Sequence, residues 1–210
     1  MVIFDLDGTL WDSSPVVAES WNIEIENYTG RKSSLVADDL RRNMGKTMTE
    51  IADNLMSEFP VPERYELSHR CEVFENEYIA EHGAELFPKV RETLQQLQDA
   101  GQKLAVVSNC QEGYVAAFIK SMDMDRYFCD YEEWGRSGLL KADNIRLVME
   151  RNGEDEAIYV GDIQKDADAC KDAGVPCIWA AYGFGHIEEP AGVIHEFAEL
   201  PGVLKELGYI

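Results

Sequence analysis

From residue 84 onward the chain switches repeatedly between short apolar runs and segments with a three-to-four-residue apolar stripe. That alternation restricts the fold more than any other feature. The runs LAVVS (104–108), AIYVGD (157–162) and VPCIWAA (175–181) read as buried strands, as does Val2-Ile3-Phe4 at the start. Residues 89–100, 111–121, 142–152 and 165–173 read as helices. In the first of these, Val90, Leu94 and Leu97 share a stripe that stops at Gly101. Strands with helices of this length between them predict a parallel sheet covered on both faces. The expected core is therefore a Rossmann-like three-layer α/β/α arrangement.

Residues 14–83 break the pattern. Pro15 follows two serines, a good helix start, and Val17, Trp21, Ile25 and Tyr28 then recur at helical spacing. Met48, Ile51, Ala52, Leu55, Met56 and Phe59 form a second stripe, and Leu67, Cys71, Phe74 and Tyr78 a third. No strand pattern appears. The expectation is a helical domain over 14–83 inserted into a core made of 1–13 and 84–210.

Forty acidic against 19 basic residues give a net charge of −21, which argues against nucleic acid as a partner, since that needs a basic face. No apolar run reaches the roughly 18 residues of a membrane span, and no basic-then-apolar leader opens the chain, so a cytoplasmic protein without membrane contact is expected. Five cysteines without a CxxC pair read as reduced thiols, and four histidines show no ligand spacing.

The apolar runs end on chemistry. Val2-Ile3-Phe4 leads into Asp5 and Asp7, separated by one leucine; LAVVS ends on Ser108 and is followed by Asn109; AIYVGD ends on Asp162, with Asp166 four residues on. Two carboxylates that close repel, so either a cation lies between them or one keeps its proton. Ligands of open parallel sheets bind outside the carboxyl ends of the strands. Four carboxylates, a hydroxyl and an amide gathering there make a hard-oxygen site that suits Mg2+ held together with a substrate phosphate. Gly8 and Thr9 form a loop able to present N–H groups to an anion, Ser108 and Asn109 precede a helix, and Lys141 could bring a cation to the same edge.

Four blocks in this order, FDLDGTLWDS (4–13), VVSN (106–109), Lys141 after GRSG, and YVGDIQKDADACKDAGV (159–175), resemble the magnesium-dependent phosphatases of the haloacid dehalogenase superfamily. The narrower resemblance is to its phosphoglycolate phosphatase-like group. It spans essentially the whole chain, with the helical insert matching that family's cap. The resemblance implies a small phosphorylated metabolite as partner, hydrolysed through an aspartyl-phosphate. Asp5 would be the nucleophile and Asp7 the acid and base. Mg2+ would lie on the Asp5 carboxylate, the Asp7 carbonyl and Asp162. Asp166 would hold a metal-bound water or orient Lys141, while Gly8, Thr9, Ser108, Asn109 and Lys141 meet the phosphoryl oxygens. Many members carry proline after the lysine, where this chain has Ala142. A phosphotransferase resembling β-phosphoglucomutase and a non-catalytic sensor of phosphometabolites are the alternatives, and the chain is expected to be a monomer or homodimer.

Residues 31–50 hold five basic side chains (Arg31, Lys32, Arg41, Arg42, Lys46) against three acidic ones. Arg42 and Lys46, flanking Gly45 at a spacing of four, are the candidates for gripping an anionic substrate group; a solvated helix face is the other reading. The stretch Tyr182–His186 reads as a turn, with a border of the same cleft as the other reading.

Overall fold

The structure is a computed structural model describing residues 1–210. Strand β1 (Val2–Phe4) leads through β2 (Trp11–Asp12) into helices α1 (Ser14–Thr29), α2 (Ala37–Arg41), α3 (Met48–Leu55) and α4 (Val61–His82). The chain returns through β3 (Glu85–Leu86) and then alternates. Helix α5 (Val90–Asp99) is followed by β4 (Leu104–Ser108), α6 (Tyr114–Ser121), β5 (Asp130–Glu133), α7 (Trp134–Ser137) and α8 (Lys141–Asn152). The last part is β6 (Ile158–Gly161), α9 (Gln164–Ala173), β7 (Cys177–Ala180), β8 (Gly192–Ile194), a 3₁₀ turn at Phe197–Glu199 and α10 (Leu200–Glu206).

Six strands form one parallel sheet in the order β5-β4-β1-β6-β7-β8. Parallel strands buried on both faces are apolar throughout, which is why β1, β4 and β6 were visible as continuous runs. Side chains alternate between faces: Phe4, Val106 and Val160 join one apolar cluster, while Ile3, Val107 and Tyr159 join the other. The first cluster takes in α5, α6 and α10 through Leu94, Phe118 and Leu204; the second takes in α8 and α9 through Ile145, Val148 and Cys170. This is the Rossmann-like three-layer arrangement expected. No helix is long and apolar enough to cross a membrane, and all five cysteines are free.

The expected helices fall within three residues of the observed ones, and the differences lie elsewhere. Strand β5 has the sequence DYEE, with no apolar signal, yet Glu132 and Glu133 are buried. Arg136 and Arg151 pair with Glu132 (2.8 and 2.6 Å), and the Gly113 and Val115 amides donate to Glu133 (2.6 and 3.0 Å). Charge is tolerated inside because each carboxylate is matched. Strands β2 and β3 pair antiparallel over two residues each, too short for any periodicity to reveal. They stand at the two crossings between the sheet and the helical segment. In that segment α3 ends at Leu55, so Met56 and Phe59 reach the core from the loop that follows it.

Candidate active site

The sheet puts Asp5, Ser108 and Asp162 at the carboxyl ends of three adjacent strands, β1, β4 and β6. Asp5 remains in register, its amide donating to the Val160 carbonyl at 2.8 Å. Its Oδ1 accepts from Lys141 Nζ at 2.7 Å. Lys141 is the first residue of α8, and its buried ammonium also donates to Asp166 Oδ1 at 2.6 Å. The other oxygen of Asp166 caps α9, accepting from the amides of Asp162 (3.1 Å) and Ile163 (3.2 Å). One carboxylate oxygen each from Asp5, Asp162 and Asp166 lies within 4.8 Å of the others. The fit is tight at Gly8, whose φ of 85° and whose contact with the Asp162 carboxylate both exclude a side chain.

Asp7 does not join this group. Its Oδ1 accepts from Ser13 Oγ at 2.5 Å and from the Tyr114 hydroxyl at 2.9 Å. The repulsion between Asp5 and Asp7 that the spacing suggested is accordingly minor. Burial, opposed by Lys141, is the main cause that raises the Asp5 carboxyl above the usual range, with Asp166 adding to it and Asp7 contributing least. Burial also pushes Asp7 up to about 6, against the pull of its Ser13 and Tyr114 bonds. Asp162 is raised by burial and then by Asp166 and Asp5. Burial works against the Lys141 ammonium, but the two carboxylates hold it charged, above the ordinary lysine range. Lys141 thus places one positive charge against Asp5.

A family model for haloacid dehalogenase-like hydrolases matches residues 2–180. The chain belongs to this family. A phosphoglycolate phosphatase of Pseudomonas fluorescens (strain Pf0-1) is 32% identical, over 97% of this chain and 79% of that one. The phosphoglycolate phosphatase of Salmonella typhimurium is 26% identical, over 95% and 90%. Among solved structures, a predicted phosphoglycolate phosphatase from Haemophilus somnus 129PT superposes with a TM-score of 0.80 at 23% identity, covering 97% of this chain and 96% of that one. A mutant of CbbY from Rhodobacter sphaeroides, solved with xylulose-(1,5)bisphosphate, gives 0.77 at 19% identity over 95% of each chain. These likenesses bear out the fold and the hydrolase family expected from the four sequence blocks.

In this hydrolase the strand ends form the floor of a cavity that opens to solvent. Asp5, Asp7, Ser108, Asn109, Lys141 and Asp162 line it from the sheet side. Val17, Trp21, Leu40, Met44, Met48 and Ile51 face them from α1–α3 and the loops between. Asp166 lies beneath, behind Lys141. Gly8 and Thr9 are not on the cavity wall: Thr9 is fully buried at the tip of the Leu6–Trp11 turn, its Oγ1 without a partner. Lys46 reaches the cavity, with Nζ donating to Asn43 Oδ1 at 2.9 Å. Arg42 does not. Its side chain is 71% exposed and turns back along α2 to Asp39 at 2.6 Å.

Several residues at the site carried no signal in the sequence. Glu75 of α4 is buried in the cavity wall between Trp21 Nε1, which donates to Oε2, and Gln111 Nε2, which donates to Oε1 at 3.0 Å. Burial pushes its carboxyl up to about 8, against those two bonds. Ser13 stood inside the first motif, but Tyr114 and Gln111 had nothing to mark them. The Tyr182–His186 stretch is more than a turn: the Phe184 amide donates to Asp162 Oδ2 at 2.7 Å, and the Tyr182 hydroxyl to the Thr9 carbonyl at 2.7 Å.

Proposed function

We propose that the chain is a magnesium-dependent phosphatase that hydrolyses a small phosphomonoester through an aspartyl-phosphate on Asp5. The observation that carries this reading is the buried Lys141 ammonium bonded to both Asp5 and Asp166 under an open cavity. It orients one Asp5 oxygen and supplies positive charge where phosphoryl oxygens would rest. Ser108 and Asn109, on the cavity wall beside it, would hold the same oxygens.

The donor set fits a hard divalent cation. Asp5 and Asp162 would hold Mg2+ with the Asp7 carbonyl. Asp166, with both oxygens engaged by Lys141 and the α9 amides, would position the lysine. When bound, the ion would offset the negative charge shared by the carboxylates and the substrate. Asp5 then attacks phosphorus, the ester P–O bond breaks, and Asp7 gives its proton to the departing alkoxide. Asp7 next takes a proton from water as that water attacks phosphorus. The bond to Asp5 breaks, releasing phosphate and restoring both acids.

The division of labour would follow the chain. Residues 1–13 and 84–210 form the reacting core, and 14–83 a cap whose apolar wall excludes bulk water and meets the alcohol half of the substrate. Lys46 would touch an anionic group there. The names of the relatives make phosphoglycolate the first ester to try. The test is phosphate release from phosphoglycolate, alkyl and hexose phosphates, nucleoside monophosphates and p-nitrophenyl phosphate, with Mg2+ and with chelator. Release that requires Mg2+ supports the reading. No release from any ester by the folded protein overturns it.

A further inference from the structure

The Asp7 carboxylate is held by neutral hydroxyls. No cationic side chain pairs with its carboxylate. Asp7 Oδ1, Ser13 Oγ and the Tyr114 hydroxyl form a closed triangle, with Tyr114 2.9 Å from Asp7 and 2.8 Å from Ser13, and Ser13 2.5 Å from Asp7. Two hydroxyl protons serve three oxygens. Either both donate to Asp7 Oδ1, or one hydroxyl donates to the other, which donates to Asp7. In every arrangement a hydroxyl proton is directed at Oδ1, and Oδ2 has no hydroxyl bonded to it. A proton taken up by this carboxyl therefore belongs on Oδ2, since the donors already occupy Oδ1.

Of the two hydroxyls, the tyrosine's is the better fixed. A serine hydroxyl moves with one side-chain rotation. The Tyr114 ring is buried at the start of α6 and packs edge-on against Trp11, with ring centroids 6.0 Å apart at 67°. Its oxygen follows from the placement of a whole helix. A phenol keeps its proton at neutral pH, so it stays a donor. Tyr114 also lines the cavity, where the loop that carries Asn109 and Gln111 enters α6.

We propose that Tyr114 is a positioning residue for the reaction: its hydroxyl anchors Oδ1 of Asp7 so that the acid delivers its proton to the leaving alcohol from Oδ2. This rests on the reading of Asp7 as the general acid, and it adds a residue outside the four sequence blocks. It has a consequence that a purely structural tyrosine would not have. An alkoxide leaves poorly without a proton, whereas p-nitrophenolate leaves readily without one. The value of kcat/KM reports steps up to departure of the alcohol, so the loss should depend on the leaving group.

The experiment measures kcat/KM of wild type, Tyr114→Phe, Ser13→Ala and Asp7→Asn on p-nitrophenyl phosphate and on the best alkyl ester of the panel above. Tyr114→Phe should raise the aryl-to-alkyl ratio about tenfold, short of the roughly hundredfold or greater rise from losing the acid in Asp7→Asn. Ser13→Ala, which keeps the tyrosine bond to Asp7, should raise it less. Thermal unfolding confirms that each variant is folded; phenylalanine keeps the buried ring. Equal losses on both esters in Tyr114→Phe, or a larger split in Ser13→Ala, would overturn the proposal. If Asp7→Asn itself slows both esters alike, the acid assignment falls first.

Discussion

On the sheet side of the cavity an ammonium lies between two carboxylates, Lys141 between Asp5 and Asp166. On the helical side a carboxyl lies between two neutral N–H donors, Glu75 between Trp21 and Gln111, among otherwise mostly apolar side chains. Both groups are buried, but they are held differently. Removing Lys141 leaves two carboxylates out of water without their shared cation. Glu75 can exchange a charge for a proton, or an oxygen for a nitrogen, without stranding a charged neighbour. One wall is specialised for a reaction and tolerates little change. The other wall tolerates more change.

The largest break in that contrast is on the sheet side. Asp5→Asn should reduce kcat by roughly 10⁴-fold or more on every ester, because an amide oxygen cannot serve as the nucleophile. Phosphate release by the folded variant is the check, and near-wild-type turnover would sink the mechanism. Lys141→Met should slow turnover severely and also destabilise the fold by about 3 kcal/mol, as removing one member of a buried ion cluster does. Denaturant midpoints of variant and wild type measure this. The deficit should be larger at pH 8 than at pH 5, where Asp5 can take up a proton in place of its lost partner.

That sheet-side wall was also the more legible one. Asp5, Ser108 and Asp162 could be placed together from sequence because each ends an apolar run, and parallel strands must bring such ends to one edge. Lys141 was offered to the same edge as the residue just before a predicted helix and as one of the four blocks of the resemblance. What could not be read depends on partners distant in sequence. Asp7 points away from Asp5 because Ser13 and Tyr114, 6 and 107 residues on, claim its oxygen. Strand β5 was invisible because its carboxylates look exposed until Arg136, Arg151 and the α6 amides are in place. Glu75 reads as one more solvated acid on an acidic helix until the cavity closes around it.

A middle-sized effect reaches both walls through pH. Burial raises Asp7 from 3.8 to about 6 and Glu75 from 4.5 to about 8. A carboxyl raised on folding contributes stability that is complete below its unfolded pKa and is lost as pH rises through its folded one. The unfolding midpoint in chelator should therefore fall between about pH 4 and pH 8. Glu75→Gln should make that fall shallower between about pH 4.5 and 8, leaving the share of Asp7, Asp5 and Asp162, which burial also raises. Thermal scans at pH 5 and pH 8 decide it. A midpoint that rises with pH, or a slope unchanged by the substitution, would show that these acids do not set the dependence.

The smallest effect separates two basic residues that the sequence offered as a pair. Four positions apart on a helix, Arg42 and Lys46 would share a face, but α2 ends at Arg41 and the chain turns between them. Lys46 enters the cavity, while Arg42 stays in solvent against Asp39. Lys46→Ala should raise KM several-fold, about 3- to 10-fold, for esters whose alcohol carries an anionic group, and less for neutral ones. Arg42→Ala should stay within about twofold on both, since an exposed charge at that distance is screened. Matched KM values for phosphoglycolate and a neutral alkyl phosphate read the difference. If Arg42→Ala proved the more damaging, the helical wall would have to shift on binding substrate, bringing the exposed face of α2 over the cavity mouth.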